Sequence, residues 1–250
     1  MNVIVDDLDI RYELKGHGRL LLLLHGWGDD HQTYIGLMSA LENKYQLAAF
    51  DLPGFGGSEP PKQPWNLDNY AELAAHFIEK LGLNPIYAVI GHSNGGALAI
   101  RALATGVLKA NKLVLLASAG IRNSQPAKRV ATKSVAKVGK ATTFWLPEAR
   151  RQQLRQKLYG SVGSDMLAVP ALEETFKRTV KQDVQADASL LKLTTLIINA
   201  DHDPAIPLKD GERFHELINN SRLEVVPSPS HFIHQTNTKD VVSLIEDFLT

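Results

Sequence analysis

A chain of 250 residues that is 44% hydrophobic is long enough for one large domain with a sizeable core, or for two small ones. Its 27 basic and 27 acidic side chains cancel, which argues against nucleic acid or a charged membrane as partner. The absence of cysteine excludes a disulfide framework, a thiolate metal site and a cysteine nucleophile. The start MNVIVDDLDI lacks the basic and apolar regions of a signal peptide, and the longest apolar run, Leu20 to Leu24, is far too short to span a bilayer. A soluble cytoplasmic protein without membrane insertion is the expectation.

Val3-Ile4-Val5 and Leu8 to Leu14 read as a hairpin turned at Asp6-Asp7. Leu20 to Leu24 is a continuous apolar run of the kind buried on both faces of a parallel sheet. Gln46 to Asp51 follows as a second strand and runs into the loop LPGFGGS. From Asp68 to Leu81 the spacing predicts a helix with Leu67, Tyr70, Leu73, Ala74, Phe77, Ile78 and Leu81 on one face, Asp68 as N-cap and Gly82 as C-cap. Then come a strand at 86–90, a glycine-rich turn, a helix at 94–105 and a strand from Lys112 to Ala117. Later strands are expected at Thr195–Ala200 and Leu223–Val226, with helices at Leu208–Ile218 and Lys239–Leu249. Strands alternating with helices imply an α/β fold with a mainly parallel sheet covered on both faces.

Residues 121–190 break this alternation. They hold amphipathic helical stretches, no convincing strand, and 13 Lys and Arg against 6 Asp and Glu. They are expected to form a helical cap inserted in a core made of residues 1–120 and 191–250. Such an insertion would lie over the carboxyl ends of the strands, where open α/β sheets bind ligands. Residues 121–160 carry ten of the basic side chains and one acidic one, Glu148. That charge fits solvated helix faces, attraction of an anionic substrate, or docking to an anionic surface.

The chemistry centres on GHSNGG, residues 91–96, between a strand and a helix. A turn sharp enough to hold Ser93 clear of the backbone requires tiny neighbours two residues before and two after it. A serine hydroxyl needs a base within reach, and the base needs an orienting acid. The strand at 195–200 ends in Asp201-His202-Asp203, and the strand at 223–226 leads to His231. His231 lies in the loop directly after its strand, whereas His234 is one helical turn on. Either Asp201 or Asp203 could serve as the acid on position alone. Oxyanion donors are expected from the backbone N–H groups of Trp27, in the turn His25-Gly26-Trp27-Gly28, and of Asn94, at a helix N-terminus. No histidine pair has zinc-ligand spacing, so no metal is inferred.

These pieces resemble the α/β-hydrolase superfamily, in its compact serine-hydrolase branch. The resemblance rests on His25-Gly26-Trp27-Gly28, Asp51-Leu52-Pro53-Gly54-Phe55-Gly56-Gly57-Ser58, Gly91-His92-Ser93-Asn94-Gly95-Gly96, Asp203-Pro204-Ala205-Ile206-Pro207 and Ser230-His231-Phe232, in family order. It implies a mostly parallel eight-stranded sheet, a helical cap at 121–190, and a triad of Ser93, His231 and Asp203, with Asp201 capping the loop. It further implies a pocket lined by Trp27, Phe55, Phe144 and Trp145, structural roles for His25 and His92, and no cofactor. The implied activity is hydrolysis of a small-molecule carboxylic ester through an acyl-enzyme. Perhydrolase and thioesterase activity use the same intermediate. Carbon–carbon hydrolases of the branch usually carry Asn before the serine and Trp after the histidine, where this chain has His92 and Phe232. A ligand-binding relative with little turnover is the alternative of another class. The sequence carries no signal of oligomeric state.

Overall fold

Five leucines in a row can all be buried only if both faces of their strand are covered. In the computed structural model, which describes residues 1–122 and 170–250, Leu20–Leu24 are all buried in strand β3 (Arg19–Leu24). Alternation sends Leu20, Leu22 and Leu24 into one apolar layer and Leu21 and Leu23 into the other. The remaining strands are β1 (Asn2–Val5), β2 (Leu8–Lys15), β4 (Tyr45–Phe50), β5 (Ile86–His92), β6 (Ala110–Leu116), β7 (Thr194–Ala200) and β8 (Ser221–Val226). The sheet order is β1-β2-β4-β3-β5-β6-β7-β8. β1 and β2 form an antiparallel hairpin, β2 meets β4 antiparallel, and every later pairing is parallel. The expected eight-stranded, mostly parallel sheet is therefore present. The hairpin turn takes Asp6 and Asp7 through left-handed φ of 50° and 62°, matching the twist of the strands it joins.

The helices are α1 (Ile35–Leu41), α2 (Leu67–Lys80), α3 (Asn94–Ala104), α4 (Glu173–Thr179), α5 (Gln185–Leu190), α6 (Leu208–Leu217), α7 (Ile233–Thr236) and α8 (Thr238–Leu249). Phe77 of α2, Leu98 of α3 and Phe214 of α6 close one apolar layer. Leu37 and Met38 of α1 and Val241 and Ile245 of α8 close the other. No helix among the described residues is long and apolar enough to cross a membrane.

Three local expectations change. The N-cap of α2 is Asn66, not Asp68: Asn66 accepts from the Asn69 N–H while the Asn69 side chain accepts from the Asn66 N–H. Asp68 then lies in the first turn. The C-cap is Leu81, and Gly82 follows it at φ 64°. Helices α1 and α7 were not expected.

Of the expected cap, residues 123–169 lie outside the described residues, and with them Phe144, Trp145 and the basic stretch up to 160. Residues 170–190 pack on the rest of the chain. Thr175 Oγ1 accepts from Trp65 N at 3.1 Å, and Gln182 Oε1 accepts from Leu67 N at 2.7 Å. Arg178 donates to the Pro64 carbonyl at 2.8 Å. These bonds fix α4 over the loop that leads into α2.

Candidate active site

Between the last residue of β5 and the first of α3 stands one residue, Ser93, at φ 51° and ψ −118°. A side chain in that region costs on the order of 1–3 kcal/mol, so the surroundings must impose it. The glycines answer for the crowding. A Cβ on Gly91 would come 2.5 Å from the Gly95 carbonyl oxygen, one on Gly95 would meet the Leu24 carbonyl, and one on Gly96 would meet Ser118 Oγ. The turn after β3 is equally close, since a Cβ on Gly26 would lie 3.2 Å from Ser93 Cβ. Ser93 N donates to the Leu116 carbonyl at 3.0 Å, and the Ser93 carbonyl accepts from Gly96 N and Ala119 N, each at 3.0 Å. The serine is thus pinned by its main chain.

His231, in the loop after β8, meets Asp203, in the loop after β7: Nδ1 and Oδ2 are 2.7 Å apart. The Asp203 side chain is fully buried, and its Oδ1 accepts from Ala205 N at 2.7 Å and Ile206 N at 2.9 Å. A carboxylate only accepts, so Nδ1 of His231 carries the proton and Nε2 keeps its lone pair. Asp201 goes elsewhere. Its Oδ1 accepts from Ser228 N at 2.8 Å, a bond that lowers its pKa, and the carboxylate faces the exposed His202. Of the two candidates, Asp203 is the one on His231.

Three buried histidines surround this pair. His25 accepts from Leu52 N through Nε2 at 2.9 Å, so its Nδ1–H donates to the Gly26 carbonyl at 2.7 Å. Burial lowers its pKa. His92 donates through Nε2 to the His231 carbonyl at 3.1 Å, and the two rings are 4.7 Å apart. That bond ties the residue before Ser93 to the residue carrying the candidate base. Burial first, then the neighbouring His234 and His231, hold His92 well below the usual imidazole value. His234, 4.5 Å from the His92 ring, shares a hydrogen bond with Thr33 Oγ1 at 2.8 Å, and burial lowers its pKa to about 3. It does not contact Asp203.

The backbone N–H groups of Trp27 and Asn94 have no hydrogen-bond partner among the described residues. The Trp27 ring stands edge-on to Phe55 at 4.8 Å and to Phe176 at 5.0 Å. Trp27 and Phe55, both expected in the pocket wall, therefore touch. Phe176 was missed: it sits in α4, about 150 residues from Trp27, and no local pattern marks such a pairing. Among the described residues two groups of side chains could hold a metal, Asp30 with His31 and Asp51, and Asp29 with His92 and His234. In the first, His31 N, His31 Nδ1 and Gly57 N already occupy the Asp51 oxygens.

A family model described as alpha/beta hydrolase fold matches residues 19–192. The non-heme haloperoxidase of Rhodococcus erythropolis is 27% identical over 276 residues, covering 96% of this chain and 97% of that protein. The poly(3-hydroxyalkanoate) depolymerase of Ectopseudomonas oleovorans is 26% identical over 256 residues, covering 94% and 86%. Among solved structures, a thermophilic esterase from Thermogutta terrifontis superposes with a TM-score of 0.74 at 20% identity, covering 100% of this chain and 97% of that one.

Proposed function

Because the chain belongs to the alpha/beta hydrolase family, we propose that it is a serine hydrolase cleaving small carboxylic esters through an acyl-enzyme on Ser93. The observation that carries the reading is the strained Ser93, tied through His92 to a histidine whose Nδ1 is engaged by a buried carboxylate.

In this reading the lone pair on His231 Nε2 takes the Ser93 proton as Oγ attacks the ester carbonyl. Asp203 holds the ring and stabilises the imidazolium. The N–H groups of Trp27 and Asn94 receive the developing oxyanion, and the start of α3 adds favourable potential. Collapse returns the proton to the leaving alkoxide and frees the alcohol. Water, deprotonated by His231, then attacks the acyl-enzyme and releases the acid. Trp27, Phe55 and Phe176 line the acyl side.

Thioesters and hydrogen peroxide fit the same intermediate, as acyl donor and acyl acceptor respectively. The test is a panel of chromogenic esters, a thioester, a perhydrolysis assay and a carbon–carbon substrate, each run against Ser93→Ala. A fluorophosphonate probe should label the folded chain once, on Ser93. Labelling elsewhere, or none, overturns the assignment. Ester turnover that survives in Ser93→Ala would do the same, and turnover confined to the carbon–carbon substrate would replace the ester reading.

A further inference from the structure

Three strand ends converge beside the nucleophile turn. Asp29 follows the turn after β3, His92 ends β5, and His234 lies in α7 after β8. One carboxylate oxygen of Asp29 and one ring nitrogen of each histidine lie within 4.8 Å of one another. Asp29 Oδ2, His92 Nδ1 and His234 Nδ1 are buried and have no hydrogen-bond partner among the described residues. Both histidines are 1% exposed. Buried polar atoms are ordinarily satisfied, so three orphans on one cluster of side chains indicate an occupant.

The hydrogen bonds around the cluster say what kind. The His231 carbonyl can only accept, so His92 Nε2 is the donor and its Nδ1 presents a bare lone pair. His234 Nε2 is engaged by Thr33 Oγ1, which also accepts from Gln235 Nε2 at 2.6 Å, so Nδ1 is the ring nitrogen of His234 left over. Asp29 Oδ1 accepts from Asp30 N at 3.0 Å, leaving Oδ2 as the third left-over atom. A cation bound by Asp29 Oδ2, His92 Nδ1 and an unprotonated His234 Nδ1 would satisfy all three left-over atoms at once.

We propose that Asp29, His92 and His234 form a site for a divalent transition cation of the zinc class. Two imidazoles and a carboxylate suit such an ion. Each histidine has its other nitrogen in a hydrogen bond with a carbonyl or hydroxyl, the arrangement that orients ligating imidazoles. Bonds of about 2.0–2.1 Å would set the donors roughly 3.4 Å apart. Some closing from the 4.8 Å limit is therefore required, and half-buried Asp29 is the ligand with room to move. The bound ion would clamp the turn carrying Trp27, the turn carrying Ser93 and the loop carrying His231. Binding itself does not depend on the ester reading.

The test is chelator-stripped full-length protein titrated with Co(II) and Zn(II). It is read by metal content, by visible ligand-field absorption of the Co(II) form and by melting temperature. Expected are one equivalent per chain, absorption of a four- or five-coordinate nitrogen–oxygen site, and a raised Tm. Asp29→Asn and His234→Gln should each weaken binding at least tenfold, while His202→Gln, at an exposed histidine, should not. Circular dichroism checks folding, and Asp29→Asn, at a half-buried position, carries the test if His234→Gln is unfolded. No stoichiometric uptake, or uptake unchanged in Asp29→Asn, overturns the proposal.

Discussion

Two Asp–His pairs with buried carboxylates sit at strand ends in this fold, and on the carboxylate side they are alike. His31 Nδ1 meets Asp51 at 2.5 Å just beyond β4, and His231 Nδ1 meets Asp203 at 2.7 Å beyond β7. Each carboxylate also takes two backbone N–H groups, from His31 and Gly57 in one case and from Ala205 and Ile206 in the other. The difference lies at the far nitrogen. Nε2 of His31 points to Glu13, 4.0 Å away, in a pair that knits the Asp51–Ser58 loop to the turn before α1. Nε2 of His231 has no hydrogen-bond partner among the described residues, and its residue is bonded to the neighbour of a strained serine. A buried Asp–His pair is thus ordinary architecture. It becomes a candidate relay when the second nitrogen is left over beside a nucleophile.

Mutating the two histidines in parallel sharpens that contrast most. Ser93→Ala and His231→Ala should each lower kcat by roughly 10⁴ to 10⁶ with little change in the urea midpoint. His31→Ala should do the reverse. Stripping a buried carboxylate of its partner costs about 3–5 kcal/mol of stability, while kcat per folded molecule stays within about threefold. Equal kcat losses in His31→Ala and His231→Ala would dissolve the distinction.

The adjacent aspartates give the next largest effect. Asp203→Asn keeps an oxygen for Ala205 N and Ile206 N, so the loop holds. Its amide nitrogen can face the imidazole and reverse the tautomer, which should cost about 10⁴ in kcat. Asp201→Asn should lose little stability, through its bond to Ser228 N, and little activity. Steady-state kinetics beside urea melts separates the two. A larger kcat loss in Asp201→Asn would reverse the assignment.

What the sequence made legible were features whose cause is local. The apolar run of β3, the period of α2 and the glycines around Ser93 each follow from a rule acting over a few residues. Helix α1 escaped because its seven residues include Gly36 and are held from outside, with Leu37, Met38 and Leu41 buried in the second layer. Asp68 suits a cap by residue type, but the reciprocal bonds between Asn66 and Asn69 put the cap two residues earlier. His234, one turn beyond His231, carries no sequence mark of the Thr33 hydroxyl that receives it. Phe176 reaches Trp27 only through the packing of α4, which no spacing encodes.

A smaller effect should appear in acid through His25, a third histidine at a strand end. Burial lowers its pKa in the folded chain, while the unfolded chain titrates near the ordinary value of about 6.5. Between the two values the unfolded state binds more protons. Its contribution is therefore complete above about pH 6.5 and is lost as pH falls from there toward the lowered folded value. Protonation would also break the bond from Leu52 N. The unfolding free energy from urea melts should fall between pH 7.5 and 5.5, with His25 contributing up to about 1.4 kcal/mol per pH unit and His92 and His234 adding to the slope. The fall should be shallower in His25→Asn, and identical slopes would remove His25 from the account.

The smallest effect on activity concerns the two rings against Trp27, which differ as the two Asp–His pairs do. Phe55 is 3% exposed and belongs to the continuous core, so Phe55→Ala should mainly destabilise, by about 3–5 kcal/mol. Phe176 comes from α4, is half-buried, and approaches Trp27 at 5.0 Å from outside that core. Phe176→Ala should then open space beside Trp27 at little cost in folding. If Trp27 lines the acyl side, the added room favours longer chains. Contacts worth a methylene or two change discrimination by roughly 10- to 200-fold, and an exposed wall should give the low end. The ratio of kcat/KM for octanoyl over acetyl esters should rise about tenfold in Phe176→Ala and less in Phe176→Leu, which refills part of the gap. An unchanged ratio with a lowered melting temperature would make Phe176 a packing residue and remove it from the acyl wall.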